Sequence, residues 1–198
     1  MGPAPAPRTL VVVQKRYSTT LTVLGVALAI WVLDVLTKTW AVAELEGRDP
    51  VYLLGTDWAR LLLLRNSGAA FSMATGYTWI LSIIAAVVAV AIIRLAGNLR
   101  SRWWILGLGL VLGGALGNLT DRVFRAPGPL QGHVVDFVAI GWWPVFNVAD
   151  SAVVCGAVLL VVLTVLGYDY DGGRSGWAAR RRSEGDERHD NETDDARA

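Results

Sequence analysis

The segment GGALGNLTDRVFRAPGPLQGHVVDFVAIGWWPVFNVAD, residues 113–150, starts inside one apolar block of the chain and ends where the next block starts. Its polar side chains include three aspartates and two asparagines: Asp121, Asp136, Asp150, Asn118 and Asn147. Carboxylates at the ends of membrane-embedded helices are costly to keep there, and they commonly mark functional sites. We therefore treat the rest of the chain as the scaffold that brings these side chains together.

The composition indicates an integral membrane protein. Hydrophobic residues make up 54% of the 198 residues, charged residues make up 18%, and the mean hydropathy is +0.44. Soluble domains, in contrast, are about one quarter charged. The formal net charge of +1 and the short basic clusters do not indicate a nucleic-acid partner. The single cysteine, Cys155, excludes an internal disulfide and a multi-cysteine metal site.

Four apolar blocks are long enough to cross a bilayer, because a membrane helix needs roughly 20 residues. We predict spans at residues 20–42, 78–95, 103–119 and 148–166. The first block lacks the cleavage pattern of a signal peptide, so we expect it to remain as a span. Residues 1–19 are predicted to form a mobile cytoplasmic head. The acid-rich residues 167–198 are predicted to form a disordered cytoplasmic tail.

The more polar segment 44–76 is predicted to contain a β-hairpin. Residues 51–54 and 58–64 are largely apolar, and they flank the turn-forming residues 55–57. A re-entrant membrane segment at residues 61–64 is the alternative. The predicted fold is an all-α membrane protein of four transmembrane helices with a small extracytoplasmic β-rich region.

Basic residues lie beside the span ends that share one side of the membrane. They are Lys15 and Arg16 before the first span, Arg94, Arg100 and Arg102 between the second and third, and Arg174 and Arg180 to Arg182 after the fourth. The positive-inside rule makes this side cytoplasmic. We expect both termini in the cytoplasm, and the polar ends of the third and fourth spans at the extracytoplasmic surface.

These two polar ends are predicted to meet, because the third span runs outward and the fourth runs inward. Asn118, Asp121 and Arg122 have the spacing i, i+3, i+4 and share one face if the helix continues that far. Asn147 and Asp150 repeat the i, i+3 spacing at the start of the fourth span.

Two further elements are expected to contribute to the same place. Residues 133–138 are typical of a short strand or extended edge, which would hold Asp136 over the helix ends. Asp34 and Lys38 are four residues apart in the first span, so they share a helix face and can form an ion pair. Gly113, Gly114 and Gly117 on the third span allow close contact between helices.

Neighbouring carboxylates in a partly desolvated pocket do not all ionise, because one raised pKa lets one acid keep its proton beside an ionised neighbour. An aspartyl protease needs such a pair, since one carboxylate activates water while the other protonates the carbonyl oxygen. The spacing alone leaves open whether Asp121 or Asp136 is the partner of Asp150.

Two other interpretations use the same acids. In the first, the acids only cap helix ends and pair with Arg122 and Arg125. Carboxylates in membranes also occur in proton- or ion-coupled carriers. These acids, however, cluster at one surface rather than at mid-membrane, and the sequence has no visible inverted repeat.

Nucleophilic and metal sites have less support. A Ser/Lys arrangement would use Ser72 or Ser151 with Lys38, but no sequence motif accompanies these residues. A metal site would have to rely on His133 and His189, which are the only histidines.

Taken in order, five motifs resemble those of a known family, the lipoprotein signal peptidases (signal peptidase II). The motifs are Asp34-Val-Leu-Thr-Lys38, Asn66-Ser-Gly-Ala-Ala-Phe-Ser72, Gly113-Gly-Ala-Leu-Gly-Asn118-Leu-Thr-Asp121-Arg122, Val134-Val-Asp136-Phe137 and Phe146-Asn147-Val-Ala-Asp150-Ser151. The resemblance covers about residues 21–166 and is specific because all five motifs occur in this order on four predicted spans.

The resemblance implies an aspartyl endopeptidase of the bacterial plasma membrane. Such an enzyme removes signal peptides from diacylglyceryl-modified prolipoproteins and cuts just before the lipidated cysteine of the lipobox. It implies no cofactor and no metal. The partners that we expect are these substrates and membrane lipid, and we expect the chain to act as a monomer.

The resemblance also implies roles for individual residues. It assigns Asp136 and Asp150 as the catalytic pair. The positions that match supporting, orienting or pocket residues of the family are Asn118, Asp121, Arg122, Asn147, Asn66, Asp34 and Lys38. The segment 44–76 matches the small extracytoplasmic β-cradle of the family.

Overall fold

The computed structural model describes residues 8–68, 78–176 and 179. Its helices are α1 (Arg8–Leu45), α2 (Thr78–Ala96), α3 (Arg102–Phe124) and α4 (Val148–Val165). The part of α1 from Tyr17 to Leu45 and the full lengths of the other three are long and apolar enough to cross a membrane. The described part of the chain therefore contains the four predicted spans.

Two helices are longer than predicted. α1 begins at Arg8, directly after Pro7, and no further proline occurs before Pro50. Because proline is the strongest breaker of a helix, nothing in residues 8–19 interrupts this one. Residues 8–19 of the predicted head are therefore helical and continuous with the first span. α3 continues beyond the predicted end at residue 119 to Phe124, which keeps Asn118 and Asp121 on helical backbone.

A small antiparallel sheet covers one end of the helices. β1 (Val51–Tyr52), β2 (Ala59–Asn66) and β3 (Val134–Ile140) lie in the order β1-β2-β3, and a short 3-10 turn (Leu53–Gly55) follows β1. The predicted hairpin is confirmed. The re-entrant alternative is wrong, because residues 61–64 belong to a strand that is paired on both sides. Residues 69–76 of the predicted loop lie outside the described residues.

Glycines let α3 pack closely against α1 and α4. A Cβ atom on Gly113 would lie 2.8 Å from the backbone oxygen of Ala27 in α1. A Cβ atom on Gly114 would clash with the backbone oxygen of Ala149 in α4. Lipid provides no hydrophobic force that pulls helices together, so close packing of small residues is a main source of helix association. α3 is thus the central helix of the bundle.

The segment that follows α4 is folded against the opposite end of the bundle. The backbone N–H groups of Arg100 and Ser101 donate to the backbone oxygen of Tyr170, at 2.8 and 3.2 Å. The indole N–H of Trp104 donates to the backbone oxygen of Tyr168 at 2.7 Å. Because these bonds fix the segment, the prediction of disorder from residue 167 onward is wrong for residues 167–176. The rest of the predicted tail, apart from residue 179, lies outside the described residues.

We expect Gly114→Ala to lower stability by about 1–3 kcal/mol, because the added methyl group has no room between α3 and α4. Gly25→Ala is the matched control, since a Cβ atom on this glycine of α1 meets nothing within 4 Å. Thermal unfolding of the purified protein in detergent measures both. Equal melting temperatures for the two variants would contradict the tight contact between α3 and α4.

Candidate active site

A buried ion pair lies on α1. Lys38 Nζ is 2.7 Å from Asp34 Oδ2, and the side chains of Lys38 and Asp34 are 1% and 0% exposed. The same ammonium lies 3.1 Å from Asp121 Oδ2 and donates to Asn118 Oδ1 at 2.9 Å. A lysine ammonium has three donors, and here each faces an oxygen. The predicted pairing of Asp34 with Lys38 is confirmed, and it extends to α3.

Asp34 also connects α1 to α4. Its Oδ1 accepts the backbone N–H of Ala149, in the first turn of α4, at 2.9 Å. The missing side chain of Gly117 on α3 makes this arrangement possible, because a Cβ atom there would lie 2.5 Å from Asp34 Oδ2. The Asp34 carboxylate therefore holds three helices at one level.

Asp121 is occupied on both oxygens. Its Oδ1 accepts from the guanidinium of Arg125, and its Oδ2 accepts the backbone N–H of Val135 at 3.1 Å as well as facing Lys38. Charge-assisted hydrogen bonds of this kind are stronger than neutral ones and hold the carboxylate firmly in place. The contact of Asp121 with Val135 attaches β3 to α3 one residue before Asp136.

Asp136 lies on β3 and is 1% exposed. The pairing of Asn66 with Val134 and of Leu64 with Asp136 places Asn66 and Asp136 on one face of the sheet. Asn66 Nδ2 accordingly donates to Asp136 Oδ2 at 2.9 Å, and Asn147 Nδ2 donates to Oδ1 at 2.6 Å. Among the described residues, Asp136 has no ion pair.

Burial changes the proton affinity of Asp136. Desolvation is the main cause that raises its pKa, to about 6, and the charge of Asp150 acts in the same direction. The hydrogen bonds from Asn66 and Asn147 and the charge of Lys38 oppose this rise. Asp136 therefore keeps its proton at pH values at which an ordinary aspartate is ionised.

Asp150 is the third residue of α4 and forms a capping box with Asn147. Asn147 Oδ1 accepts the backbone N–H of Asp150 at 2.9 Å, and Asp150 Oδ2 accepts the backbone N–H of Asn147 at 3.2 Å. Asn118 Nδ2 donates to the other oxygen of Asp150 at 2.7 Å. The positive end of the helix dipole favours a negative charge at this position.

Asn147 joins the two aspartates into one site. Its side chain donates to Asp136, its backbone N–H donates to Asp150, and its Nδ2 also lies 3.3 Å from Asn118 Oδ1. It is buried and has no freedom to leave this network. Asp136 and Asp150 therefore share a hydrogen-bond neighbour, which brings the two carboxyl groups to one site.

A second cation lies beside the pair. Arg122, on α3, donates to the backbone oxygen of Asn118 at 3.4 Å, and its buried Nε has no hydrogen-bond partner among the described residues. Asp150, Asp136 and Asp121 are all within its electrostatic range. The guanidinium thus keeps donor capacity beside the two carboxylates.

The structure brings all the predicted site residues to one place. Eight of them are linked by hydrogen bonds or ion pairs, and Arg122 adjoins them; the eight are Asp34, Lys38, Asn66, Asn118, Asp121, Asp136, Asn147 and Asp150. The backbone N–H groups of Val135 and Ala149 were missed and have no signal in the sequence. The bond from Arg125 to Asp121 follows the i, i+4 spacing, a signal that the sequence does contain.

The geometry of the described residues gives little support to a nucleophilic Ser/Lys site or to a metal site. The hydroxyl of Ser151 is on an exposed residue and donates to the backbone oxygen of Asn147 at 3.0 Å, while Lys38 is engaged elsewhere. Ser72 and His189 lie outside the described residues. Within the part of the chain that is described, His, Cys, Asp and Glu form no group of three or more suited to a metal ion.

Comparisons with known proteins agree with one another. A family model described as "Signal peptidase (SPase) II" matches residues 26–166. A lipoprotein signal peptidase of Rhodococcus jostii is 63% identical over 152 residues, which cover 77% of this chain and 75% of that protein. A lipoprotein signal peptidase of Mycobacterium avium is 60% identical over 148 residues, which cover 75% of this chain and 81% of that protein.

A solved structure has the same fold. It is titled "Bacterial membrane enzyme structure by the in meso method at 1.9 A resolution", and it superposes with a TM-score of 0.62 at 26% identity. The match covers 73% of this chain and 92% of the solved one. Nothing in these comparisons supports a carrier.

We expect Asp34→Asn to lower stability by about 3 kcal/mol or more, because it leaves the buried Lys38 with less compensating charge. Glu44→Gln is the matched control. Glu44, near the end of α1, forms an i, i+4 pair with Arg48 in the turn that follows, but both side chains are more than half exposed. Such a pair contributes less than about 1 kcal/mol. Thermal unfolding in detergent compares the two, and similar losses would contradict a structural role for the buried pair.

Proposed function

Because the chain belongs to the signal peptidase II family, we propose that Asp136 and Asp150 are its catalytic pair. The chain is a protease that removes signal peptides from prolipoproteins. The observation that supports this pair is the shared contact with Asn147, together with the full engagement of Asp121 by two cations and a backbone N–H.

In the proposed reaction, one carboxylate of the pair takes a proton from a water molecule. The water oxygen attacks the carbonyl carbon of the scissile peptide bond, and the other carboxylic acid donates its proton to the carbonyl oxygen. Collapse of the resulting diol breaks the C–N bond. The carboxyl group that took the proton from water gives it to the leaving nitrogen, and the other carboxylate takes a proton back from the diol. The two aspartates need different protonation states for this chemistry.

The remaining polar residues have orienting roles in this proposal. Asn66 and Asn147 hold the Asp136 carboxyl group, and Asn118 holds Asp150. Arg122 has an Nε donor without a partner among the described residues and would bind a carbonyl oxygen of the substrate backbone. Lys38, Asp34 and Asp121 hold these residues in place, and their own charges are paired with one another and with Arg125.

The proposed substrate is a prolipoprotein whose lipobox cysteine carries a diacylglyceryl group, and the bond cut is the one before that cysteine. The outer surfaces of the spans are apolar, with exposed side chains such as Leu28, Leu36, Val87 and Val161. Acyl chains in the adjacent lipid contribute about 0.8 kcal/mol per buried CH₂. The bilayer would therefore hold the lipidated precursor against the enzyme. One chain supplies the whole proposed site, so we expect activity as a monomer.

We also propose that the site faces the extracytoplasmic side of a bacterial plasma membrane and that both termini are cytoplasmic. Arg94, Arg100, Arg102 and Arg174 lie at the end of the bundle opposite the site, at or between helix ends. The positive-inside rule favours the cytoplasm for such a cluster.

Each of the variants Asp136→Asn and Asp150→Asn should lose about 100-fold or more of its activity, since each removes one proton-transfer group. The assay uses purified enzyme and a lipidated lipobox peptide. Asp57→Asn, an exposed aspartate in the turn before β2, is the control and should retain activity. A folded Asp136→Asn or Asp150→Asn variant with substantial activity would refute this pair and make Asp121 the next candidate.

Orientation can be tested with single cysteines in a Cys155→Ser background. Thr56→Cys lies in the exposed turn of the sheet, and Asn98→Cys lies in the exposed loop between α2 and α3. A membrane-impermeant maleimide added to the outer side of the plasma membrane should label the first and not the second. The reverse labelling pattern would place the site in the cytoplasm.

A further inference from the structure

Lys38 faces an amide as well as two carboxylates. Its Nζ donates to Asn118 Oδ1 at 2.9 Å, and Asn118 Nδ2 donates to Asp150 Oδ1 at 2.7 Å. An ammonium group can only donate hydrogen bonds, so the atom of Asn118 that faces it must be the oxygen. The amide nitrogen then has to face Asp150.

The opposite orientation of this amide is unfavourable at both ends. It would place the amide N–H groups against the ammonium of Lys38 and the amide oxygen against the Asp150 carboxylate. The Nδ2 of Asn147, 3.3 Å from Asn118 Oδ1, selects the same orientation. A buried lysine on α1, with the weaker contact from Asn147, therefore selects which atom of an α3 side chain meets an α4 carboxylate.

The surroundings of the two catalytic aspartates differ. Asp150 is partly exposed, lies in the first turn of α4, and accepts N–H groups from Asn118 and from the backbone of Asn147. Asp136 is buried on a strand, and its two oxygens accept from the side-chain amides of Asn66 and of Asn147, the N-cap residue of α4. The charged groups around the pair are Arg122 from α3 and Lys38 from α1, with Asp121 and Asp34 beyond them.

We propose that Lys38, through the amide of Asn118, keeps Asp150 the ionised carboxylate of the pair and leaves the proton on Asp136. Lys38 is thus a positioning residue for the reaction as well as part of a buried ion cluster. The inference rests on the proposed catalytic pair. The raised pKa of Asp136, about 6, agrees with this placement of the proton.

The proton balance of the first step follows. Asp150 takes a proton from water while the water oxygen bonds to the carbonyl carbon. Asp136 gives its proton to the carbonyl oxygen. Asp150 then holds a proton that it can deliver to the leaving nitrogen as the C–N bond breaks, and Asp136 recovers its own from the diol. The pair returns to its starting state without any other reactant.

The test is the pH profile of kcat/KM for cleavage of a lipidated lipobox peptide. The acidic limb reports protonation of Asp150, and the basic limb reports loss of the proton on Asp136. Lys38→Met removes the shorter of the two contacts that orient the Asn118 amide and leaves only the 3.3 Å contact with Asn147 Nδ2. The amide can then turn, so that a neutral Asp150 donates to its oxygen. One hydrogen bond to a charged group corresponds to about one pH unit, and the acidic limb should move upward by that amount.

Two further variants test whether the effect of Lys38 on Asp150 passes through the Asn118 amide or comes from the charge of Lys38 alone. In an Asn118→Ala background, Lys38→Met should shift the acidic limb no further, because the amide that transmits the effect is gone. Asp34→Asn disrupts the same ion pair but keeps the bond from Lys38 to Asn118. It should lower the melting temperature without an upward shift of the acidic limb.

Specific outcomes overturn the inference. An unshifted acidic limb in folded Lys38→Met would do so, as would an equal shift with and without Asn118, which would indicate a direct charge effect. If Lys38→Met does not fold, the Asp34→Asn/Lys38→Met double variant replaces it, because it keeps the net charge of the pair. Failure of the catalytic pair itself is distinguishable, since it appears as activity in Asp136→Asn or Asp150→Asn.

Discussion

The ammonium of Lys38, buried at the junction of three helices, is the constraint on which the other contacts depend. A charge that is removed from water must be paired and hydrogen-bonded, or it destabilises the fold by several kcal/mol. Lys38 meets this requirement with Asp34 on its own helix and with Asp121 and Asn118 on α3. Asp34 in turn accepts the backbone N–H of Ala149 on α4. The three helix axes therefore cannot shift without exposing a buried charge.

Single contacts lead from this cluster to the two aspartates that we propose as the catalytic pair. Asp121 fixes the start of β3 through the N–H of Val135, which determines where Asp136 lies. Asn118 reaches Asp150 directly. The ion pairs are thus formed by neighbouring residues and not by Asp136 and Asp150 themselves. Asp136 and Asp150 are left with neutral amide and backbone donors, which orient a carboxylate without preventing it from exchanging a proton.

The membrane makes the helix packing behind this site unusually dependent on small residues. Lipid offers no hydrophobic gain for association, so contacts must come from close approach and from polar bonds. Gly117 on α3 combines close approach with a polar group, because the carboxylate of Asp34 fills the space left by its missing side chain. Gly113 and Gly114 allow the same close approach to α1 and α4. A tight helix interface and a buried ion cluster are therefore parts of one arrangement.

The sequence by itself determined the four spans, the hairpin before α2 and the set of polar residues at the site, because hydropathy, turn residues and i, i+4 spacing are local properties. The i, i+4 spacing also predicted the ion pair between Asp34 and Lys38 correctly. The sequence left Asp121 and Asp136 as equal partners for Asp150, and only a family resemblance separated them. The tertiary structure distinguishes them physically, since Asp121 is held by Lys38 and Arg125 whereas Asp136 is not. Contacts between residues far apart in the chain, such as this one, have no period or spacing in the sequence that reveals them.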